Sequence, residues 1–256
     1  MSAAELERVR GWLSSAQRVV VLTGAGISTE SGIPDFRGPQ GVWTKNPGAE
    51  KLSNLSHYMA DKDVRRRAWQ ARLQHEAWNA QPNAGHRAMV TLEQSGKLHA
   101  LITQNIDGLH RRAGSSPERT IEIHGTIHEV VCMACGVRGP MSETLDRVRA
   151  GEDDPPCTSC GGILKSATIS FGQALVAEDL RRADRAARSC DLLIAAGSSL
   201  SVFPIAGVVP IAKQSGARVA ILNGQPTDMD ELADSVLLGP LGELLPALVS
   251  GLIVQS

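Results

Sequence analysis

The feature that most constrains the fold is the alternation of short apolar segments with segments of helical pattern. Six apolar runs rich in β-branched residues have the length of strands: 18–23, 99–103, 120–123, 191–196, 217–222 and 235–238. Helical patterns separate most of them, at 83–96, 177–189 and 204–216. Such alternation predicts right-handed crossovers and a mostly parallel sheet with helices on both faces. We therefore predict an α/β fold with a Rossmann-like, doubly wound parallel sheet.

Two segments interrupt this alternation. Residues 39–82 are polar and indicate a helical insertion, whereas residues 129–167 carry two CxxC pairs and too few apolar residues for a core of their own. We expect the two insertions to form a smaller zinc-binding domain. The main domain would then consist of residues 1–38, 83–128 and 168–256.

The four paired cysteines predict a metal site. Cys132 and Cys135 form one pair, Cys157 and Cys160 the other, and in an intracellular protein this pattern favours a metal over disulfides. Four thiolates saturate a tetrahedral zinc ion, so the zinc would be structural, with no position open for water. An iron–sulfur site and a redox dithiol are the alternatives.

Composition excludes some classes of partner. The net charge is −1, so no global basic field points to nucleic acid or to an anionic membrane. Acidic residues within 129–167 would also repel phosphate. No apolar run approaches the roughly 18 residues of a membrane span, and residues 1–17 resemble a polar amphipathic helix rather than a signal peptide. We expect a cytoplasmic protein that binds neither membranes nor nucleic acid.

A short polar segment follows each of five predicted strands. These segments read TGAGIS (23–28), TQNIDG (103–108), HG (124–125), GSSL (197–200) and NGQ (223–225). Polar residues end strands in any protein, but the carboxyl ends of parallel strands share one edge of the sheet, where ligands bind. The five segments together therefore predict one binding crevice.

The first of these segments resembles a damaged dinucleotide fingerprint. A strand, a glycine turn and a helix usually hold a pyrophosphate, yet Thr29 occupies the third glycine position of GxGxxG. No acidic strand end follows roughly 20 residues later, as a dehydrogenase would need. Asp35 and Arg37 instead come directly after the turn, either as a surface ion pair or as contacts to a cofactor. His124 ends a strand, where it is either structural or a general base.

The motifs of this chain closely resemble those of the sirtuins, which are NAD-dependent protein lysine deacylases. In chain order, these motifs are GAGIS, SGIPDFRG, TQNIDGLHRRAG, HG, the two CxxC pairs, FG, GSSLSVFP and LNGQPT. The resemblance covers essentially the whole chain, which is similar to a bare bacterial-type catalytic core. It implies cleavage of the nicotinamide–ribose bond of NAD by attack of an acyl-lysine oxygen. It further implies that His124 deprotonates a ribose hydroxyl, giving free lysine and O-acyl-ADP-ribose.

The same resemblance implies roles for individual residues. Asn105 and Asp107 would assist His124 by holding the nicotinamide. The NAD contacts implied are Gly24, Ala25, Gly26, Ser28, Asp35, Phe36, Arg37, Gln104, Asn105, Asp107, Gly197, Ser198, Ser199, Asn223 and Gly224. An acylated peptide would add as a strand between Phe171–Gly172 and Val202–Phe203.

The chain departs from the family pattern in ways that bear on its substrate. At residues 171–173 the sequence is FGQ where the family usually has FGE. Trp69 and Arg72 are three positions apart, which is the spacing of a tyrosine–arginine pair in members of the family that prefer acidic acyl groups. The tyrosine is absent, although an arginine alone can pair with a carboxylate. We expect deacetylation or a broad neutral acyl range. Dedicated desuccinylation, protein ADP-ribosylation and an NAD-sensing binding module are the alternatives.

Overall fold

The computed structural model describes residues 3–36, 38, 41–45 and 53–253. Within them, each predicted apolar run holds one strand of a six-stranded parallel sheet: β1 (Val19–Thr23), β2 (Leu98–Thr103), β3 (Thr120–Glu122), β7 (Leu192–Ala196), β8 (Arg218–Asn223) and β9 (Ser235–Leu238). The strand order is β3-β2-β1-β7-β8-β9, and every pairing is parallel. The predicted doubly wound sheet is confirmed.

Helices cover both faces of this sheet. One face packs against α1 (Ala3–Ser15), α5 (Ala84–Gln94) and α10 (Leu241–Val249), and the other against α8 (Ala177–Ser189) and α9 (Val208–Gln214). The other α-helices of the described residues are α2 (Val42–Lys45), α3 (Leu55–Ala60), α4 (Lys62–Leu73), α6 (Leu109–Ala113) and α7 (Met141–Arg149). None of the helices in the described ranges is long and apolar enough to cross a membrane.

The central strand β1 explains why apolar runs mark the sheet. Val19 and Val21 point into the core beneath α1, α5 and α10, whereas Val20 and Leu22 point into the core beneath α8 and α9. All four side chains are completely buried. Because successive strand residues face opposite sides, a strand covered on both faces needs an unbroken apolar run.

A second, antiparallel sheet forms within the cysteine-bearing insertion and its flanking residues. It consists of β4 (Gly125–Cys132), β5 (Arg138–Pro140) and β6 (Leu164–Thr168), in the order β5-β4-β6. Trp69 of α4 packs against side chains of β4, β6 and α7, so the cysteine-bearing segment shares a core with the helical insertion. A largely buried ion pair, Arg65 Nε to Asp154 at 2.9 Å, adds a second link.

The strand order reverses between β1 and β7. At this point the backbone of the turn after β1 contacts the backbone of the turn after β7. Gly26 N–H donates to Gly197 O at 2.8 Å. A Cβ on Gly24 would lie 2.6 Å from Gly197 O, and one on Gly197 would lie 2.6 Å from the nitrogen of Ile27. Glycine is therefore required on both sides of this contact, which forms the floor of the crevice at the switch point.

We expect Gly197→Ala to lower the free energy of unfolding by about 3 kcal/mol, since a left-handed φ of 68° and a steric clash act together. Gly216→Ala is the matched control, because Gly216 has a φ of 91° but open space around its Cβ position. That control should lose only about 1 kcal/mol. Urea denaturation of both variants measures the difference, and equal losses would show that close packing at Gly197 is unimportant.

Candidate active site

The turn after β1 differs from the expected glycine turn and helix. Two 3-10 turns, Ala25–Ile27 and Thr29–Ser31, replace the helix, and Gly32 with a φ of 84° ends the second. Most backbone N–H groups of residues 24–28 bond within the protein, including Gly24 to Ala196 O. Ala25 N–H is the one donor of those five residues without a partner among the described residues, so it is the group that remains for a ligand.

Asn105, Asp107 and Ser28 form one buried polar cluster, although the sequence separates them by up to 79 positions. Ser28 Oγ donates to Asp107 Oδ2 at 2.7 Å. Asn105 Nδ2 donates to Ser28 Oγ and to Gly24 O, both at 3.1 Å. Leu109 N–H donates to the other carboxylate oxygen of Asp107 at 2.9 Å. The amide and the carboxylate are thus held in fixed orientations before any ligand arrives.

Two histidines extend this cluster, and sequence reasoning missed them. Neither was among the candidate site residues, yet His86 is fully buried and its Nε2 lies 3.4 Å from Ser28 Oγ. Its ring stacks edge-on against His110, which bonds to Thr23 Oγ1 at 3.0 Å. Burial lowers the pKa of His86 to about 4 and the pKa of His110 well below its ordinary value. Both rings are therefore neutral near pH 7.

His124, expected to end a strand, lies in the turn between β3 and β4, and one of its ring nitrogens is fixed. Its Nδ1 lies 3.0 Å from Gln104 O. A carbonyl can only accept, so Nδ1 carries the proton and Nε2 keeps a lone pair. Burial lowers the pKa of His124, while the hydrogen bond to Gln104 raises it in part. A neutral imidazole with a free Nε2 is the form that a general base requires.

Ser198 connects the segments that follow β2, β7 and β8. Gln104 Nε2 donates to Ser198 Oγ at 2.8 Å, and Asn223 Nδ2 donates to Ser198 O at 3.3 Å. Leu200 N–H also donates to Ser198 Oγ, at 3.1 Å. Leu200 is the one non-glycine residue with a positive φ, 56°, in the described part of the chain. Such backbone strain often accompanies a binding site.

The remaining predicted contacts lie around this cluster. Ser199 hydroxyl pairs with Ser201 at 2.8 Å, and a Cβ on Gly224 would meet open space. Asp35 accepts from Gly38 N–H at 3.0 Å, and Phe36 is 42% exposed. Arg37 lies outside the described residues.

The two segments predicted to bind the peptide are Phe171–Gly172 and Val202–Phe203, and they differ in their backbone hydrogen bonds. Phe171 already uses its backbone on one side: its N–H donates to Ser53 O, and its carbonyl accepts from Leu55 N–H. The adjacent residue, Gly172, has a φ of 80° and open space around its Cβ position. Phe203 is 66% exposed.

The four paired cysteines converge on one point. Their sulfur atoms all lie within 4.8 Å of one another, with Cys132 Sγ 3.5 Å from Cys160 Sγ and Cys135 Sγ 3.9 Å from Cys157 Sγ. A zinc ion with four Zn–S bonds of about 2.3 Å separates its sulfurs by about 3.8 Å. None of the four is in a disulfide. The donor set and its spacing therefore fit a structural zinc ion.

A family model described as the Sir2 family matches residues 24–204. The chain belongs to the Sir2 family. An NAD-dependent protein deacetylase from Streptomyces coelicolor is 49% identical over 234 residues, which is 91% of this chain and 97% of that protein.

Solved Sir2 structures have the same fold. One Sir2 enzyme superposes with a TM-score of 0.88 at 37% identity and covers 97% of both chains. A Sir2 alanine variant with a deacetylated p53 peptide and 3′-O-acetyl-ADP-ribose superposes with a TM-score of 0.87 at 32% identity, covering 94% of this chain and 96% of that one. The resemblance inferred from the motifs is thereby confirmed.

We expect Cys157→Ala to abolish zinc binding and to lower the unfolding midpoint by about 10 °C, because the cluster adjoins the core shared by α4 and β4. Cys190→Ala is the control, since that buried thiol lies outside the cluster. Metal analysis and thermal denaturation of both variants test this. A Cys157→Ala protein that keeps its midpoint without zinc would contradict a structural role for the metal.

Proposed function

We propose that this chain is an NAD-dependent protein lysine deacetylase that transfers the acyl group to ADP-ribose. The observation that carries the proposal is the fixed tautomer of His124, whose free Nε2 sits at the same sheet edge as the Asn105–Asp107 cluster. Membership of the Sir2 family and the 49% identical deacetylase support it.

Asn105, Asp107 and Ser28 are proposed to bind the nicotinamide end of NAD. NAD supplies an electrophilic anomeric carbon and a leaving group whose ring is cationic. The Asp107 carboxylate is surrounded by neutral donors and neutral histidines, so the site carries negative charge where that cation would bind. Because Ser28 and Asn105 are already hydrogen-bonded in place, little reorganisation is needed on binding.

The phosphates and the adenosine are proposed to lie along the rest of the crevice. Ala25 N–H is the donor left without a partner beside the contact between Gly24, Gly26 and Gly197, and it would point to a phosphate there. Ser198 and Ser199 would contact phosphate. Asn223, Gly224 and Gln104 would contact the ribose groups, and Asp35, Phe36 and Arg37 would cover the reacting end.

His124 is proposed as the general base for a ribose hydroxyl. Gln104 O holds the Nδ1 proton of His124, so Nε2 is the nitrogen that would accept the hydroxyl proton as the ribose oxygen attacks the acyl carbon. The acylated lysine would reach this point on an extended peptide between Phe171–Gly172 and Val202–Phe203. Acetylated proteins are thus the proposed partners, met between the main domain and the small domain built from residues 39–82 and 129–167.

A cytoplasmic location is proposed from the cysteines. The cluster needs four reduced thiolates to hold zinc, and the cytoplasm keeps thiols reduced.

His124→Ala should reduce deacetylation by roughly 10²–10⁴-fold while NAD still binds, since the base is lost and the polar cluster stays. Turnover of an acetyl-lysine peptide and calorimetric titration with NAD measure the two effects. His99→Ala is the control, because His99 is exposed on β2 away from the crevice. Unchanged turnover in His124→Ala would refute the assigned base.

The pH dependence of kcat/KM should report the protonation of His124. Burial places the pKa of His124 below its ordinary value of about 6.5, so the base is neutral at pH 7 and is protonated only at lower pH. We expect kcat/KM to be flat near pH 7 and to fall as the pH drops through that lowered pKa. An acid limb with a pKa above 7 would contradict the assignment.

A further inference from the structure

A hydrogen bond from His128 reaches the segment that carries the proposed nicotinamide contacts. His128 lies on β4, and its Nε2 is 2.8 Å from the backbone oxygen of Asp107. A carbonyl can only accept, so Nε2 carries a proton and donates it. His124 uses its other ring nitrogen, since Nδ1 donates to Gln104 O. The two histidines therefore hold backbone carbonyls at both ends of residues 104–107.

Asp107 is held at its side chain and at its backbone. Ser28 Oγ donates to one carboxylate oxygen of Asp107, and Leu109 N–H donates to the other. The bond from His128 holds the carbonyl of the same residue. Rotation about the Cα–C bond of Asp107 would move this carbonyl and Leu109 N–H together. A held carbonyl therefore also keeps Leu109 N–H on the carboxylate, and the carboxylate stays in one orientation.

Gly108 leaves room for the ring of His128. Its φ is 70°, a left-handed value that favours glycine. A Cβ at this position would lie 2.7 Å from Nε2 of His128 and 2.9 Å from Cδ2. Any side chain at residue 108 would therefore displace the ring from its place beside the Asp107 carbonyl.

Trp78 fixes the ring of His128 from another side. The two rings meet edge-on, with centroids 5.5 Å apart and an interplanar angle of 79°. Trp78 is itself anchored, because its Nε1 donates to Arg72 O and it packs against the apolar cluster that includes Leu109. The donor of His128 is thus oriented before any ligand binds. The contact also connects the helical insertion to the segment after β2.

We propose that His128 is a positioning residue for the nicotinamide end of NAD, acting through the backbone carbonyl of Asp107 to keep the Asp107 carboxylate in place. The inference rests on the proposed function, in which Asp107 binds the nicotinamide. Its consequence is selective. His128 contributes to the binding of NAD, which carries the cationic ring, and not to the binding of ADP-ribose, which lacks that ring. A residue that only stabilised the fold would affect both ligands alike.

Calorimetric titration of the zinc-loaded full chain with NAD and with ADP-ribose tests this selectivity. His128→Phe keeps a ring against Trp78 but removes the donor. We expect its affinity for NAD to fall about three- to tenfold, because one hydrogen bond is lost, while its affinity for ADP-ribose changes by less than about twofold. The KM for NAD should rise by a similar factor with little change in kcat, because the carboxylate contacts the cationic ring in the ground state.

Two amide variants test the donor without the ring. The side-chain nitrogen of glutamine reaches about as far as Nε2 of histidine, whereas that of asparagine is one methylene shorter. His128→Gln should therefore bind NAD within about twofold of the unmodified protein, and His128→Asn should lose as much affinity as His128→Phe.

His75→Phe is the matched control. The ring of His75 contacts the same Trp78 edge-on at 6.4 Å, but its Nδ1 accepts from Ala77 N–H and makes no bond to the segment after β2. This variant should leave the affinities for both ligands unchanged.

Thermal denaturation of each variant establishes that it is folded, and the comparison of His128→Gln with His128→Asn decides if His128→Phe is not. An unchanged affinity for NAD in His128→Phe and His128→Asn, or an equal loss for ADP-ribose, would overturn the positioning role and leave the proposed function standing. Failure of the proposed function would look different. A protein whose NAD affinity depends on His128 in this way but that turns over no acetyl-lysine peptide is not a deacetylase, and the positioning role would stand.

Discussion

The contact between Gly24, Gly26 and Gly197 determines the arrangement of the crevice. It brings the turn after β1 against the turn after β7 at backbone distance, at the point where the strand order reverses. Asn105 then bonds to Gly24 O, and Ser198 is placed within reach of Gln104 and Asn223. Any side chain at these glycines would separate the two turns and, with them, the polar groups that the ligand needs.

Burial determines which side chains of the crevice carry a charge. His86, His110 and His124 all have pKa values lowered mainly by desolvation, so these buried rings are neutral in the crevice that also holds the carboxylate of Asp107. A neutral base and a fixed negative group in one crevice suit a reaction in which a cationic ring departs as neutral nicotinamide and a hydroxyl is deprotonated. The charge close to β6 is positive instead, because the side chains of Arg72 and Lys165 lie there.

Much of this could be predicted from sequence because the signals are local. Apolar runs marked all six strands of the parallel sheet, and the CxxC spacing marked the cysteine cluster. The helix expected after β1 does not form, since its residues turn at Gly32. His86 was missed because its burial depends on packing against His110, although its spacing of three from Met89 on α5 placed it on an apolar face.

The fate of the acyl group tests the central claim most directly. An acetyl-lysine peptide labelled with carbon-13 in the acetyl group is incubated with NAD and the zinc-loaded protein, and all products are analysed by mass spectrometry. A base at His124 that activates a ribose hydroxyl predicts the label in O-acetyl-ADP-ribose, with free lysine and nicotinamide in equal amounts. Label in free acetate from the outset, or ADP-ribose attached to protein with the acetyl group still on lysine, would contradict it.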